Sequence, residues 1–148
     1  MSEARLLAIK SLLDILRRGK RPKKSLEDIA SSLDRRDRSF HMEIVYGVLR
    51  FRNTIDWILD HFLKDPSNLD PFTLNNLRIA VYQIFFMRVP DWAVVNEAVE
   101  MEKDETLDPV DVGLFGADRI VLEANRVAHL VEEHLLLGFL GELTHRTS

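Results

Sequence analysis

The spacing of apolar residues in the stretch 38–52 constrains the fold most strongly. Phe40, Ile44, Val48 and Phe51 recur every three or four positions, so they share one face of an α-helix, and we predict that this face is buried. The same spacing recurs along most of the chain. No segment alternates convincingly between apolar and polar residues with the period of two that marks a half-buried strand. We therefore predict an all-α bundle of six or seven helices.

Capping residues and prolines predict where the helices begin and end. The first helix is expected near residues 3–18, and Pro22 is expected to interrupt the helical pattern after it. The segment Ser25–Asp28 resembles a capping box, which predicts a short second helix opening at the serine. Asp70–Pro71 is a capping side chain followed by proline at the first helical position, so a further helix is expected to start there. A helix is also expected across 118–140.

Chain length and composition are typical of a single globular domain, and the sequence contains no motif for catalysis or cofactor binding. The 148 residues fit one hydrophobic core. The absence of cysteine excludes disulfides, thiolate metal sites and a cysteine nucleophile within this sequence. There is also no Gly-rich strand-to-helix turn of the kind that holds a nucleotide-like cofactor. We expect no catalytic residue, no cofactor and no bound metal.

The sequence carries no signal for a membrane or for export. No apolar run approaches the roughly 18 residues that would suggest a membrane span. The first residues lack the basic-then-apolar order of a signal peptide. We therefore expect a cytoplasmic protein.

Charge is distributed unequally along the chain. The net charge is −4, but residues 1–52 hold 13 Lys and Arg against 7 Asp and Glu, whereas residues 53–148 hold 7 against 17. The two parts therefore carry +6 and −10. Such asymmetry fits a protein that contacts phosphates on one side while the rest of its surface is acidic. The alternative is that the charges intermix once the chain has folded.

Three motifs resemble those of a known family. They are Asp37-Arg38-Ser39-Phe40 with Val45-Tyr46-Gly47-Val48-Leu49-Arg50, then Leu69-Asp70-Pro71 with Leu77-Arg78-Ile79-Ala80, and finally Val89-Pro90 with Ala93-Val94-Val95-Asn96-Glu97-Ala98-Val99-Glu100. In this order they resemble the NusB-like RNA-binding domains. The residues of these motifs are most similar to those of the N-terminal domain of the bacterial rRNA 5-methylcytosine methyltransferases of the Fmu, Sun or RsmB type. The match covers residues 1–103, and residues 104–148 are expected to form an unmatched helical tail of the same single domain, 1–148.

The resemblance implies a binding module rather than an enzyme. Those methyltransferases attack the base with a cysteine, which this chain lacks, so the implied role is to dock RNA, expected to be rRNA, for a catalytic methyltransferase domain outside this chain. A free-standing NusB-type antitermination factor, acting with a ribosomal protein, is the alternative. A protein-interaction domain without RNA binding, or a homodimer, is also open.

The candidate RNA contacts are 12 of the 13 cations in the first 52 residues. They are Arg5, Arg17, Arg18, Lys20, Arg21, Lys23, Lys24, Arg35, Arg36, Arg38, Arg50 and Arg52. The basic segment 20–24 is the leading candidate, because four cations in five residues exceed what helix capping needs. Cations at a helix C-terminus can instead stabilise the dipole, and Arg50 and Arg52 can lie along apolar neighbours.

Six further residues are expected to be structural. Gly47 is expected to allow close approach of a neighbouring helix, since glycine costs a helix interior about 1 kcal/mol relative to alanine. Arg78 is expected to form an internal salt bridge. Trp57 and Trp92 are expected to have a core or packing role, with stacking on unpaired bases as the alternative. Asn96 and Glu97 are expected to be structural hydrogen-bonding residues.

Overall fold

The computed structural model describes residues 2–63 and 69–103. These residues form six α-helices and no strand: α1 (Ser2–Leu16), α2 (Pro22–Ala30), α3 (Arg35–Arg50), α4 (Arg52–Phe62), α5 (Pro71–Phe85) and α6 (Asp91–Lys103). The predicted all-α architecture is confirmed. The helix expected across 118–140, and the rest of the tail 104–148, lie outside the described residues. Among the six helices, none is long and apolar enough to cross a membrane.

Helices α1 and α5 occupy the centre of the bundle. Helix α1 packs against α2, α3, α5 and α6, and α5 packs against α1, α3, α4 and α6. The largest fully buried apolar side chains are Ile9, Leu12, Ile44, Val45, Ile55, Leu59, Phe72, Leu77 and Ile79. Each of these stabilises the fold by roughly 1.5–3 kcal/mol relative to an exposed position. The core therefore joins α1, α3, α4 and α5 into one body.

A close contact between α3 and α5 explains Gly47. A Cβ atom at position 47 would overlap the ring of Tyr82, which projects from α5. Tyr82 also stacks on Phe86, with ring centroids 5.4 Å apart, and Phe86 stacks on Phe51 at 4.4 Å. The expectation that Gly47 permits close helix approach is confirmed.

The start of α5 follows the predicted capping pattern. Asp70 is the N-cap, and its Oδ2 accepts a hydrogen bond from the backbone N–H of Thr73 at 3.3 Å. Pro71 is the first helical residue, where its missing N–H costs no intrahelical bond. The prediction drawn from Asp70–Pro71 is confirmed.

Helix α2 begins three residues earlier than predicted. Arg21 is the N-cap and Pro22 is the first helical residue, so proline starts this helix as it starts α5. Lys23 and Lys24 therefore lie in the first turn of α2 and not in a loop. The predicted cap at Ser25 is wrong, because Ser25 lies inside α2, is 1% exposed, and its Oγ has no hydrogen-bond partner.

Helices α3 and α4 meet at Phe51, which is the C-cap of α3 and the N-cap of α4. The backbone N–H of Phe51 donates to the carbonyl of Gly47 at 3.0 Å, and the carbonyl of Phe51 accepts from the backbone N–H of Ile55 at 2.9 Å. A single residue therefore separates the two helices, and Arg52 is the first residue of α4.

Candidate nucleic-acid interface

Half of the predicted cations lie between the end of α1 and the first turn of α2. Arg17 and Arg18 follow the last residue of α1, and Lys20 lies in the loop that leads to α2. The exposed members of this group are Arg17, Arg18, Arg21, Lys23 and Lys24, and Lys20 is half-buried. We call these six residues the basic corner. These six residues are close in sequence, and the short connection between α1 and α2 keeps them close in space.

Two residues of the basic corner are engaged by nearby carboxylates. Arg18 pairs with Asp14 at 2.6 Å across one turn, and Lys20 pairs with Asp28 of α2 at 2.6 Å. The hydrogen bond to Asp28 raises the pKa of Lys20, and the same bond lowers the pKa of Asp28. Exposed pairs of this kind contribute little to stability. Only the pair between Lys20 and Asp28 links the loop to α2.

A second cationic group lies at the start of α3. Arg35, Arg36 and Arg38 are exposed, and Arg38 donates to the backbone carbonyl of Leu33 at 3.2 Å. The N-cap of this helix is Asp34, whose Oδ1 accepts from the backbone N–H of Asp37 at 2.8 Å. Because α2 has nine residues, it spans about 14 Å. This group and the basic corner are therefore separated by roughly that distance along α2.

Arg50 and Arg52 lie at the opposite end of α3 from Arg35 and Arg36. The 16 residues of α3 span about 24 Å, so the structure separates these two sets of candidates. The guanidinium of Arg50 lies over the ring of Phe51, 5.5 Å from its centroid. Both arginines are exposed. The predicted contacts therefore do not form one continuous patch along α3.

Arg5 lies in the core and not on the surface. Its side chain is 0% exposed, its Nε and Nη2 donate to Asn76 Oδ1 at 3.3 and 3.1 Å, and its Nη1 donates to Gln83. Glu97 lies 3.7 Å away as an ion-pair partner. Contact with RNA would require this guanidinium to leave a fully bonded site, so we remove Arg5 from the candidate interface. Nothing in the sequence indicated that Arg5 is buried, because its bonding partners lie 71 to 92 positions away along the chain.

The Arg5 site continues into a buried polar network that the sequence did not reveal. Asn76 donates through Nδ2 to the carbonyl of Ala98 at 2.9 Å and to Glu102 Oε1 at 3.0 Å. Burial raises the pKa of Glu102 to about 7, partly offset by the hydrogen bond from Asn76. Burial also lowers the pKa of Arg5 to about 10, against the opposing attraction of Glu97. This network ties α1, α5 and α6 together and has no exposed cation to offer a ligand.

The residues expected to be structural have mixed outcomes. The internal salt bridge of Arg78 is confirmed, because its Nε and Nη2 donate to the two carboxylate oxygens of Asp56 at 2.8 and 3.1 Å. Glu97 has the expected structural role through its pairing with Arg5, whereas Asn96 is exposed. A core position is wrong for both tryptophans, since Trp57 and Trp92 are 55% and 72% exposed, although the ring of Trp57 packs against that of His61 with centroids 4.4 Å apart. Their helices place them on outer faces, which apolarity alone could not predict.

Comparison with known proteins supports the resemblance drawn from the three motifs. Residues 2–108 match the NusB family. Over 75 residues, which are 50% of this chain, the sequence is 32% identical to the probable ribosomal RNA small subunit methyltransferase B of Bacillus subtilis (strain 168). Over 97 residues, or 65% of this chain, it is 24% identical to the ribosomal RNA small subunit methyltransferase B of Escherichia coli O1:K1 / APEC. The matched stretches cover only 17% and 23% of those two proteins.

A solved structure shares the fold. The structure of T. maritima NusB aligns with a TM-score of 0.72 and 22% sequence identity, and the alignment covers 90% of this chain and 91% of that chain. At this identity the likeness establishes the fold alone. The predicted NusB-like bundle is therefore confirmed.

Proposed function

Because this chain belongs to the NusB family, we propose that it is an RNA-binding module that docks rRNA for a catalytic methyltransferase domain not contained in this sequence. The two methyltransferase B relatives act, by their names, on small-subunit rRNA, and this chain is similar to less than a quarter of each. The sequence has no cysteine to attack a base. Both points favour a role in binding over a role in the chemical step.

The observation that carries the proposal is the surplus of exposed cations between Arg17 and Arg38. This segment holds nine Lys and Arg residues against four Asp and Glu, a net charge of +5. Among the described residues, Arg17, Arg21, Lys23 and Arg36 make no ion pair. Each such cation can neutralise one phosphate and release a condensed counterion, which is the main source of affinity for RNA.

The basic corner is the part of this surface best suited to hold RNA. Arg21 is the N-cap residue of α2, and Lys23 lies in its first turn, where the positive end of the helix dipole adds to the attraction for an anion. The pairing of Lys20 with Asp28 links the loop to α2 on the same side of the molecule. Arg35, Arg36 and Arg38 extend the cationic surface at the other end of α2 and complete the proposed footprint.

The salt dependence of RNA affinity tests the proposal. Fragments of small-subunit rRNA are titrated against the chain between about 50 and 200 mM salt. The variant Arg21→Gln/Lys23→Gln should reduce the slope of log K against log salt by about 1.4, since each lost single-strand phosphate contact removes about 0.7. Lys20 is left intact because it holds the loop.

The double variant Lys10→Gln/Arg88→Gln serves as the control, since it removes two exposed cations outside the footprint and should leave the slope within about 0.3 of the parent value. An equal fall in both variants would show diffuse attraction and contradict the proposed corner. No binding at 50 mM salt would contradict RNA binding altogether and favour a protein-interaction domain. Tighter binding to an antitermination leader RNA than to rRNA would favour the free-standing NusB-type factor.

A further inference from the structure

A cavity lies where the end of α1 meets α4 and the first half of α5. It has a volume of about 300 Å³, which is at the lower end of the range for ligand-binding clefts. Its lining residues are Leu16, Arg17, Arg52, Pro71, Leu74, Asn75 and Arg78. We call it the α5 groove. Three of these seven side chains are arginines, and they come from three different parts of the sequence.

The three arginines have different roles in the groove. Arg78 is held by both oxygens of Asp56, and its Nη1 donates to Asn75 Oδ1 at 2.9 Å. Its guanidinium plane is therefore fixed and its charge is balanced. Arg17 and Arg52 are exposed and have no ion-pair partner within the described residues. The groove thus combines one immobile planar group with two cations whose charge is unbalanced.

The remaining lining is apolar or neutral. Leu16, Pro71 and Leu74 are half-buried and supply an apolar wall, while Asn75 is buried and oriented by Arg78. A ligand matched to this lining carries an anionic group at one side and a flat, partly apolar group at the other. A nucleotide has both, since its phosphate pairs with arginine and its base stacks on a guanidinium plane or an apolar side chain.

We infer that the α5 groove holds one nucleotide of a single-stranded RNA, with its phosphate between Arg17 and Arg52 and its base against Arg78 and Leu74. This inference rests on the proposed RNA-binding function and adds a second contact point to it. Arg17 belongs to both the groove and the basic corner. An RNA strand that lies on the corner therefore reaches the groove without crossing an uncharged surface, which favours RNA over a free small anion.

The groove can be separated from the corner by mutation. We expect Arg52→Gln to weaken binding of a fluorescein-labelled single-stranded oligouridine roughly tenfold, because a hydrogen bond to a charged group contributes enough for one decade of affinity. Arg88→Gln removes one exposed cation beyond the other end of α5 and should change the affinity less than twofold. Thermal unfolding of each variant, followed by circular dichroism, checks that the fold is intact.

The side-chain signals of arginine identify the ligand directly. In an NMR titration with uridine 5′-monophosphate, we expect the Nε–Hε signals of Arg17, Arg52 and Arg78 and the methyl signals of Leu74 to shift together. If inorganic phosphate produces the same shifts, the groove recognises an anion only, and the nucleotide assignment is overturned.

The outcomes also separate the groove from the proposed function. If oligouridine shifts the backbone amides of residues 20–24 but none of the groove signals, the groove inference is overturned while the RNA-binding proposal stands. If it shifts neither set, both are overturned. A loss of affinity in Arg52→Gln together with groove shifts supports the assignment.

Discussion

The buried position of Arg5 leads to a prediction that separates a structural arginine from an RNA ligand. The change is Arg5→Met, which keeps an unbranched side chain but removes every donor. Asn76 Oδ1 and the side-chain oxygen of Gln83 would then lose their donor, and both residues are at most 1% exposed. Leaving a buried acceptor unsatisfied costs about 1–3 kcal/mol, so the two together cost about 2–6 kcal/mol.

The lost attraction to two glutamates adds to this destabilisation, whereas the relieved desolvation of the guanidinium opposes it. Glu97 and Glu102 would lose a nearby cation, which adds to the loss. Against this, burial disfavours the charged guanidinium and lowers the pKa of Arg5, so its removal relieves part of a desolvation cost. Because these two terms oppose each other, we expect a net loss of about 2–6 kcal/mol, a large part of the roughly 5–15 kcal/mol that stabilises a domain.

Two measurements test this expectation. Urea unfolding followed by circular dichroism should show a lower midpoint with an unchanged m-value. RNA titration at a temperature where the variant is folded should give the same salt slope as the parent, since no phosphate contact has been removed. The variant Arg21→Gln/Lys23→Gln should show the reverse pattern. A normal unfolding midpoint with a reduced salt slope in Arg5→Met would refute the structural assignment.

Three further predictions concern the packing and the buried charges. Gly47→Ala should destabilise the domain by about 1–3 kcal/mol by overpacking against Tyr82, despite alanine's better helix propensity. In a double-mutant cycle, Tyr82→Leu should remove most of this penalty, and stabilisation by Gly47→Ala alone would contradict the close contact. Arg78→Ala should cost about 1–3 kcal/mol in urea unfolding by leaving the half-buried Asp56 unpaired, and a coupling energy near zero with Asp56→Asn would argue against the pair. The pKa of Glu102 is raised to about 7, so the folded state binds this proton more tightly than the unfolded state, and the free energy of unfolding should fall as pH rises from about 4.5 to 7. Glu102→Gln should flatten this pH dependence, and an unchanged profile in the variant would contradict the prediction.

The secondary structure was predictable where its signals are local. The cap and proline at Asp70–Pro71 act within one helical turn, and the apolar period of 38–52 is a property of one helix. Both predictions agree with the structure. The prediction at Ser25 failed because two local signals competed: proline at the first helical position outweighed a capping box three residues later. Sequence alone offered no way to rank them.

The candidate interface was predictable only in part. The basic corner follows from its composition, because cations on a short loop and the first turn after it cannot be far apart. Trp57 and Trp92 were misplaced because apolarity predicts burial on average but does not reveal which face of a helix meets a neighbour. Their exposure of 55% and 72% depends on how α4 and α6 pack.

The amino-acid sequence by itself determined the all-α class, the family and the cationic segment between Arg17 and Arg38, since helical periodicity, motif order and local charge can all be read along the chain. Only the tertiary structure decided which cations can meet a ligand. It buried Arg5 against residues of α5 and α6, and it brought Arg17, Arg52 and Arg78 to one groove. The physical reason is that burial and electrostatic environment arise from packing between distant segments, whereas helix formation and net charge are set along the chain.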